Sequence, residues 1–346
     1  RRGEGLSVRN TYYRFPIVLT GGILVVLTAV YFSLTNGTFD MSIKEVFQTL
    51  LRMSPKSDFE LVVFEFRLPR IVLGALVGFA LGMAGAVIQG VTRNGLADPG
   101  ILGINAGAGM AVVLFMFLLQ GQITMTGWLG VMMMPMFGIA GGLAATTAIF
   151  MFARENGKLD PQRLILVGIA IASGFGAITM FLSLKMNPSD YEMAVAWLAG
   201  SLHSANWKFV VTMLPWLILL PPVIWLRSQV LDLFQLSEES VKSVGVSVER
   251  EKKVLLLCSI GLVSASVAVS GSIGFVGLIA PHLARQLVGL RHRHIIPISG
   301  IAGMAIVVIG DFIGRTIFAP AELAAGIVVS VIGVPYFIYL LIRMRK

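Results

Sequence analysis

Arg67 and Arg70 stand three residues apart around Pro69 in the segment RLPR, immediately ahead of the apolar run IVLGALVGFALGMAGAVIQG. A guanidinium is planar, always charged and rich in donors, so two of them on a proline-held turn suit the gripping of carboxylates. Snorkelling of a helix-end cation to lipid headgroups is the plainer use, and it would accept Lys as readily as Arg. Other ionisable groups in the apolar segments are few, and each is a functional candidate because charge at that depth is costly. Asp311 and Arg315 lie four apart in GDFIGR, the spacing of a structural ion pair along one helix. His282 and Arg285 follow Pro281, and a lone histidine there reads as a hydrogen-bonded packing residue rather than a proton carrier. Four scattered histidines and one cysteine offer no metal-ligand spacing. MMMPM at 132–136 reads as apolar filler rather than a soft-metal site, and Cys258 permits no internal disulfide. The chain has no G-x-x-x-x-G-K-S/T, no H-E-x-x-H and no G-x-S-x-G in a strand-turn-helix setting. No catalytic site, metal or cofactor is therefore expected in it, and any ATP-Mg that drives it would sit on another subunit.

These groups are carried by a chain built for oil. Of its 346 residues, 56% are hydrophobic and 13% charged, and the mean hydropathy of +0.85 lies outside the range of water-soluble domains. Windows of about 20 apolar residues read as spans near 16–35, 71–90, 100–119, 129–152, 163–184, 207–226, 254–271, 273–290, 295–312 and 323–342. Backbone groups at that depth find no water, so each span must be a helix. The expectation is an all-α integral membrane protein of about ten transmembrane helices, a single domain over 1–346. Starting the chain inside places 19 of the 27 Lys and Arg residues on inner segments and 8 on outer ones, so both termini are expected in the cytoplasm. The net charge of +9 then reflects the inside-positive bias, and no nucleic-acid partner is expected. The first span is too long for a signal-peptide core and lacks a small-residue cleavage site, so it reads as a retained helix.

Three segments outside the spans carry structure of their own. Ser42 and Glu45 make a capping box ahead of Ile43, Val46, Phe47, Leu50 and Leu51, which predicts a short amphipathic helix on the outer face. The stretch 190–207 carries Trp197 and Trp207 at an outer flank, as interfacial anchors do. The longest inner loop, about 227–253, contains QLSEESVKSVGVSVEREKK. Ser237 can cap a helix there, Glu238 and Glu239 suit its positive end, and Gly245 can close it in a left-handed turn. Two exposed turns in a long inner loop suit a partner, and a solvated loop with one helical turn is the alternative. Within the spans, Gly74, Gly78, Gly82, Ala86 and Gly90 recur at every fourth position, a stripe of nearly bare backbone on which a second helix can pack closely. Gly168, Ala172 and Gly176 repeat the pattern. Close packing is the favoured reading, and unobstructed sliding of helices is the other.

RLPR with its glycine-rich span, Gln89 with NGLADPGILGINAGAG (94–109), WLAGSL (197–202), GSIGFVGLIAPHLARQLVG (271–289) and GDFIGR (310–315) occur in order over nearly the whole chain. Together they resemble the FecCD/BtuC-like permease family of ABC importers for iron-siderophores, haem and cobalamin. The resemblance implies the type II importer permease fold, a second permease subunit (identical or paralogous), two cytoplasmic ATPase subunits that bind ATP-Mg, and an external substrate-binding protein. It implies that Arg67, Arg70 and Arg315 form a basic pocket on the outer face where acidic residues of the binding protein dock. It also assigns the ATPase contact to 234–249, with Ser237, Glu238, Glu239, Val241, Val244 and Gly245. Ser240, Val241 and Val244 differ from the alanines and leucine typical there. Gly95 replaces a usual proline and loosens that inner turn, and Arg291 replaces a common aspartate, removing an ion pair near the inner surface.

The reading is thus the membrane subunit of an ATP-driven iron-siderophore importer of a bacterial cytoplasmic membrane, not itself an enzyme and working by alternating access. A bulky cargo needs a pathway lined by small or apolar residues, for which the fifth span offers Gly168, Ala172, Ser173, Gly176 and Thr179. A haem or cobalamin permease is the near alternative. An ion-coupled secondary transporter predicts mid-membrane acids facing a cavity, and the spans offer only Asp311 and Glu322, both near the outer end. A receptor or membrane scaffold is the weaker rival.

Overall fold

The computed structural model describes residues 4–36, 41–53, 57–119, 128–155, 158–159, 161–236, 240–241, 245 and 247–344. Its helices are α1 (Glu4–Thr35), α2 (Ile43–Leu50), α3 (Ser57–Glu60), α4 (Leu68–Thr92), α5 (Ile104–Leu119), α6 (Trp128–Phe152), α7 (Pro161–Ser183), α8 (Pro188–Leu198), α9 (Trp207–Leu226), α10 (Ser228–Leu233), α11 (Val248–Ser270), α12 (Val276–Val288), α13 (His292–Thr316) and α14 (Ala325–Met344). A two-residue antiparallel ladder, Arg154–Glu155 with Lys158–Leu159, joins α6 to α7. Among the described residues, eight helices are long and apolar enough to cross a membrane, and α5 is a shorter apolar helix.

Two boundaries differ from the sequence expectation. The span expected at 273–290 is only the 13-residue α12, roughly 20 Å at 1.5 Å per residue and short of a bilayer core of about 30 Å. Gly271 holds a positive φ of 69°, and residues 271–274 stay non-helical. A Cβ on Gly271 would lie 1.8 Å from the Trp197 carbonyl oxygen, so only glycine lets this backbone pass the end of α8. Trp197 itself packs in the main core, 8% exposed, which corrects its reading as an interfacial anchor. Trp207 is exposed, its indole donating to the Phe64 carbonyl at 2.7 Å.

The second difference concerns RLPR. It does not open the helix, because the apolar rod runs unbroken from 58 to 92. Residues Leu61–Arg67 form a π-helical segment, with the Leu68 amide bonded to the Val63 carbonyl. Pro69, which has no amide proton, lies inside this continuous rod where the π-helical segment gives way to α4, and the Phe64 carbonyl accepts from the Trp207 indole.

The expected capping box on α2 is present: Ser42 Oγ accepts from the Glu45 amide at 3.3 Å and the Ser42 amide donates to Glu45 Oε2 at 2.9 Å. Its Val46 packs with Leu34, Met41, Val63 and Ile71 in a small cluster beside the main core. The centre of the bundle is α4 and α11, whose apolar windows are 83% buried, whereas α7 is 11% buried. The α4 stripe is a packing seam: a Cβ on Gly78 would meet the Gly303 carbonyl oxygen at 2.3 Å, and one on Gly82 the Ser299 carbonyl oxygen at 2.1 Å. Backbone meets backbone, so this face of α4 fits α13 closely and the close-packing reading holds.

Candidate docking and coupling sites

The bundle places the three predicted arginines at one end, where α1 and α13 finish and α4 begins. Arg70 reaches across to α13, its Nε 3.0 Å from both Asp311 oxygens and its Nη2 2.9 Å from Oδ1. Its Nη1 donates to Glu322 at 2.8 Å, in the loop before α14. Asp311 therefore forms the i+4 ion pair with Arg315 that its spacing suggested, at 3.9 Å from Nε, but takes its hydrogen bonds from Arg70. The physical reason is the fork of Arg70, which satisfies both carboxylate oxygens at once, while Arg315 turns to α1. There its Nη2 donates to the carbonyl and hydroxyl of Ser33, and Arg67 donates to the carbonyl of Leu34. Two guanidinium groups thus cover carbonyls that the last turn of α1 leaves without helical partners, at the negative end of its dipole.

Arg67 is 6% exposed, and the side chains of Arg315 and Arg70 are 9% and 14% exposed. Asp311 is as deeply placed, whereas the Glu322 side chain is 35% exposed and that of His203, whose Nδ1 lies 3.0 Å from Glu322, is 72% exposed. Burial works against the charge on Glu322, but Arg70 and the His203 hydrogen bond outweigh it and hold its pKa below the usual carboxylate value. Three guanidiniums face two carboxylates here, and Glu322 is the acceptor that solvent reaches. Sequence reasoning noted Glu322 as an acid near that end but missed His203, Ser33 and Leu34, whose only signal is proximity in the fold.

The other quoted motifs converge as well. Gly200 at the end of WLAG holds a positive φ of 77° and a Cβ on it would lie 2.6 Å from the Ser272 carbonyl oxygen. Asn105 donates to Ser272 Oγ at 2.9 Å, and the Gly326 amide donates to the Gly200 carbonyl at 2.9 Å. The break between α11 and α12 thus sits against α5, α8 and α14, beside an open cavity of about 590 Å³ lined by Ser272, Gly326 and Ser330. Irregular backbone inside a membrane is tolerated where it is covered by protein or lines a cavity. Gln89 spans the next layer, taking a hydrogen bond from Arg285 and donating to the Gly277 carbonyl at 3.2 Å. His282 is 2.8 Å from Gln286 and edge-on to Tyr336, the packing role expected of it.

Of the five residues chosen for a pathway wall, Gly168 and Thr179 are buried, Ala172 is half-buried, and Ser173 and Gly176 are exposed. Gly168, Ala172, Gly176 and Thr179 fall on one stripe of α7 and Ser173 to its side. Gly168 and Ala172 pack on the turn at Gly103, whereas a Cβ on Gly176 would meet nothing.

At the opposite end lies the predicted coupling loop. Ser237, Glu238, Glu239 and Val244 fall outside the described residues. Val241 is fully buried, and Gly245 has a φ of +81°, the left-handed turn expected of it. The loop's flanks are tied down: Arg227 bonds Glu251 at 2.6 Å, Arg93 donates to the Leu236 carbonyl at 2.8 Å, and Asp232 accepts from the His292 amide at 2.9 Å. Asp98, on the turn between α4 and α5, is half-buried, and its carboxylate takes a bond from the Gly100 amide at 2.7 Å. Burial outweighs that bond and raises its pKa to about 6. Among the described residues no His, Cys, Asp and Glu cluster could hold a metal.

Residues 23–343 match the family described as the FecCD transport family. The chain is 50% identical over 324 residues, covering 94% of it and 96% of the relative, to the iron-uptake system permease protein FeuC of Bacillus subtilis. It is 40% identical, covering 94% and 97%, to the iron(3+)-hydroxamate import system permease protein FhuG of the same organism. It is 35% identical, covering 96% and 97%, to the hemin transport system permease protein HmuU of Yersinia pestis. A solved metal-chelate type ABC transporter in an inward-facing conformation superposes with a TM-score of 0.82 at 28% identity, covering 95% of this chain and 99% of that one.

Proposed function

Because the chain belongs to the FecCD transport family and is a multi-pass permease component of an ABC transporter, we propose that it imports an iron(III)-siderophore across a bacterial cytoplasmic membrane. Relatives named for iron uptake and iron-hydroxamate import, the first at 50% identity, support that cargo. A haem cargo is the second reading, favoured by the 35% identity to a hemin permease.

In this reading the chain pairs with a second permease, identical or paralogous, above two ATPase subunits that bind ATP-Mg, and receives cargo from an external substrate-binding protein. Both termini lie in the cytoplasm, as the Lys and Arg bias requires, and the arginine end faces outward. The observation that carries the docking role is the gathering of Arg67, Arg70 and Arg315 on one end, with Glu322 the acid that solvent reaches. An incoming carboxylate displaces Glu322 from Arg70 while Asp311 keeps the guanidinium in place. Arg67 and Arg315 supply field at the site and hold α1. At the other end the loop around Val241 and Gly245 receives the ATPase. Closure of the ATPases would then drive alternating access.

Uptake of a radiolabelled ferric siderophore by cells deleted for this chain and complemented with it tests the reading. Uptake is expected to vanish when the partner ATPase is inactivated by mutation and to survive collapse of the proton gradient. The reverse pattern would establish ion coupling instead. Labelling of a cysteine placed at the N-terminus by a membrane-impermeant reagent in intact cells would invert the orientation and remove the docking assignment.

A further inference from the structure

Ile43, Phe47 and Leu51 stand more than half exposed on α2 and its cap, in the link between the first two spans. At about 100° per residue the helix divides into three faces. Val46 and Thr49 are buried, Val46 in one cluster with Leu34 of α1 and with Val63 and Ile71 of the rod that follows. Lys44, Glu45 and Gln48 make a polar face, on which Glu45 closes the capping box. Ile43, Phe47 and Leu51 recur at every fourth position on the remaining face. One face thus suits protein and one suits water, and the third is an apolar stripe that nothing covers among the described residues.

The depth of the helix says what meets that stripe. The α1 span, Arg14–Thr35, is about 33 Å long at 1.5 Å per residue and just crosses a hydrocarbon core of about 30 Å. Leu34 therefore lies at the boundary of that core. Ile71 follows Arg70, whose guanidinium belongs at the same boundary. Because Val46 packs with both, α2 lies along the membrane surface and not above it, at the level where acyl chains give way to headgroups. Lys44 is exposed beside the apolar stripe. Arg52, one residue past Leu51, is exposed too, its guanidinium 5.7 Å from the centre of the Phe64 ring. Both carry the charge that complements lipid phosphates.

We propose that α2 is a membrane-surface anchor. Ile43, Phe47 and Leu51 sink among the acyl chains of the leaflet at the arginine end, Lys44 and Arg52 meet the phosphates, and Gln48 stays in water. Amphipathic helices lie in the interface by this division of faces. The anchor also sets the level of the arginine cluster, since Val46 packs on the turn of α1 whose carbonyls Arg67 and Arg315 hold. It needs only that α1 spans the membrane, and neither the identity of the cargo nor the orientation of the termini.

Spin labels on single cysteines test this, introduced by Phe47→Cys, Leu51→Cys or Gln48→Cys in a Cys258→Ala background of the full chain, reconstituted in nanodiscs of phosphatidylcholine with or without an equal share of phosphatidylglycerol. None of the three labelled side chains belongs to the core, so all three variants should elute as the parent does. Labels at 47 and 51 are expected to collide with dissolved oxygen, relative to a soluble nickel chelate, about threefold more often than the label at 48. Adding phosphatidylglycerol should raise that ratio at 47, and K44Q/R52Q should abolish the rise. Equal ratios at 47 and 48 would overturn the anchor, and a ratio at 47 indifferent to phosphatidylglycerol would overturn the contact with phosphates. A label at 47 shielded from both reagents, with or without the external binding protein, would overturn the proposal by making this face a protein contact.

Discussion

Glu322→Gln separates a docking arginine from a merely structural one. Glu322 and Asp311 both hold Arg70, but their environments differ: the Glu322 side chain is 35% exposed and that of Asp311 4%. An ion pair as exposed as Arg70–Glu322 contributes about 0.2–1 kcal/mol once solvent screening is counted. Removing the Glu322 charge therefore leaves folding nearly unchanged, since Asp311 still neutralises Arg70 from the buried side. If a carboxylate of the binding protein must displace Glu322, the variant relieves it of that competition. The expected gain is the same 0.2–1 kcal/mol, or about 1.5- to 5-fold in Kd. The assay is a biosensor titration of the cognate binding protein against the assembled transporter in nanodiscs at 50 and 500 mM salt. Tighter binding at low salt, with the gain shrinking at high salt, is the expected result. Unchanged or weaker binding by a correctly assembled E322Q transporter would refute the exchange of carboxylates at Arg70.

Arg67→Glu is expected to lower the amount of folded protein in the membrane as well as uptake. It buries an anion against the carbonyl end of α1, so loss of uptake alone does not report on docking; Arg67→Lys, which keeps the charge, should restore the folded amount on fluorescence-detected size exclusion. Gly82→Leu should prevent folding, because its Cβ would lie 2.1 Å from a carbonyl oxygen of α13, whereas Gly174→Leu, where a Cβ meets nothing, should fold normally by the same assay. Asp98→Asn should stabilise the protein at pH 7.5. Its folded pKa of about 6 exceeds the model-peptide value of 3.8, so the wild type gains stability as pH falls from above 6 towards 4 and loses it as pH rises. That amounts to about 3 kcal/mol across the window, and the pH dependence of the apparent melting midpoint between 7.5 and 4.5 should flatten in the variant.

Helices and seams were legible in the sequence wherever a local signal set them. The fourfold glycine spacing from Gly74 to Gly90 announced a face that could touch backbone, and Gly78 and Gly82 touch it. The Ser42 box and the Gly245 turn followed from short-range geometry in the same way. The break at 271–274 was legible as the gap between the spans 254–271 and 273–290, but the shortness of the second helix, 13 residues from Val276, was not, because a hydropathy window cannot distinguish an apolar helix from apolar non-helical chain. At Gly271 the chain passes the Trp197 carbonyl, 74 residues away in the sequence, more closely than any Cβ would allow. The same limit hid the second partner of Asp311. An i+4 cation was visible, while the better-placed fork of Arg70 came from another helix.

The arginine cluster and the glycine seam constrain each other. Arg70 ties α4 to α13 and to the loop before α14, Arg67 and Arg315 tie both helices to the end of α1, and the contacts at Gly78 and Gly82 leave α4 no room to slide along α13. A force applied at Glu322 therefore moves α1, α4 and α13 together, because sliding one past another would drive backbone into backbone. The freedom that alternating access needs must lie elsewhere. The candidates are α7, which is scarcely buried, and the non-helical 271–274 segment, whose surroundings at Ser272 and Gly326 open onto a cavity. If a binding protein docks at the arginine end as proposed, it acts on this block, and α7 and 271–274 are the elements expected to move.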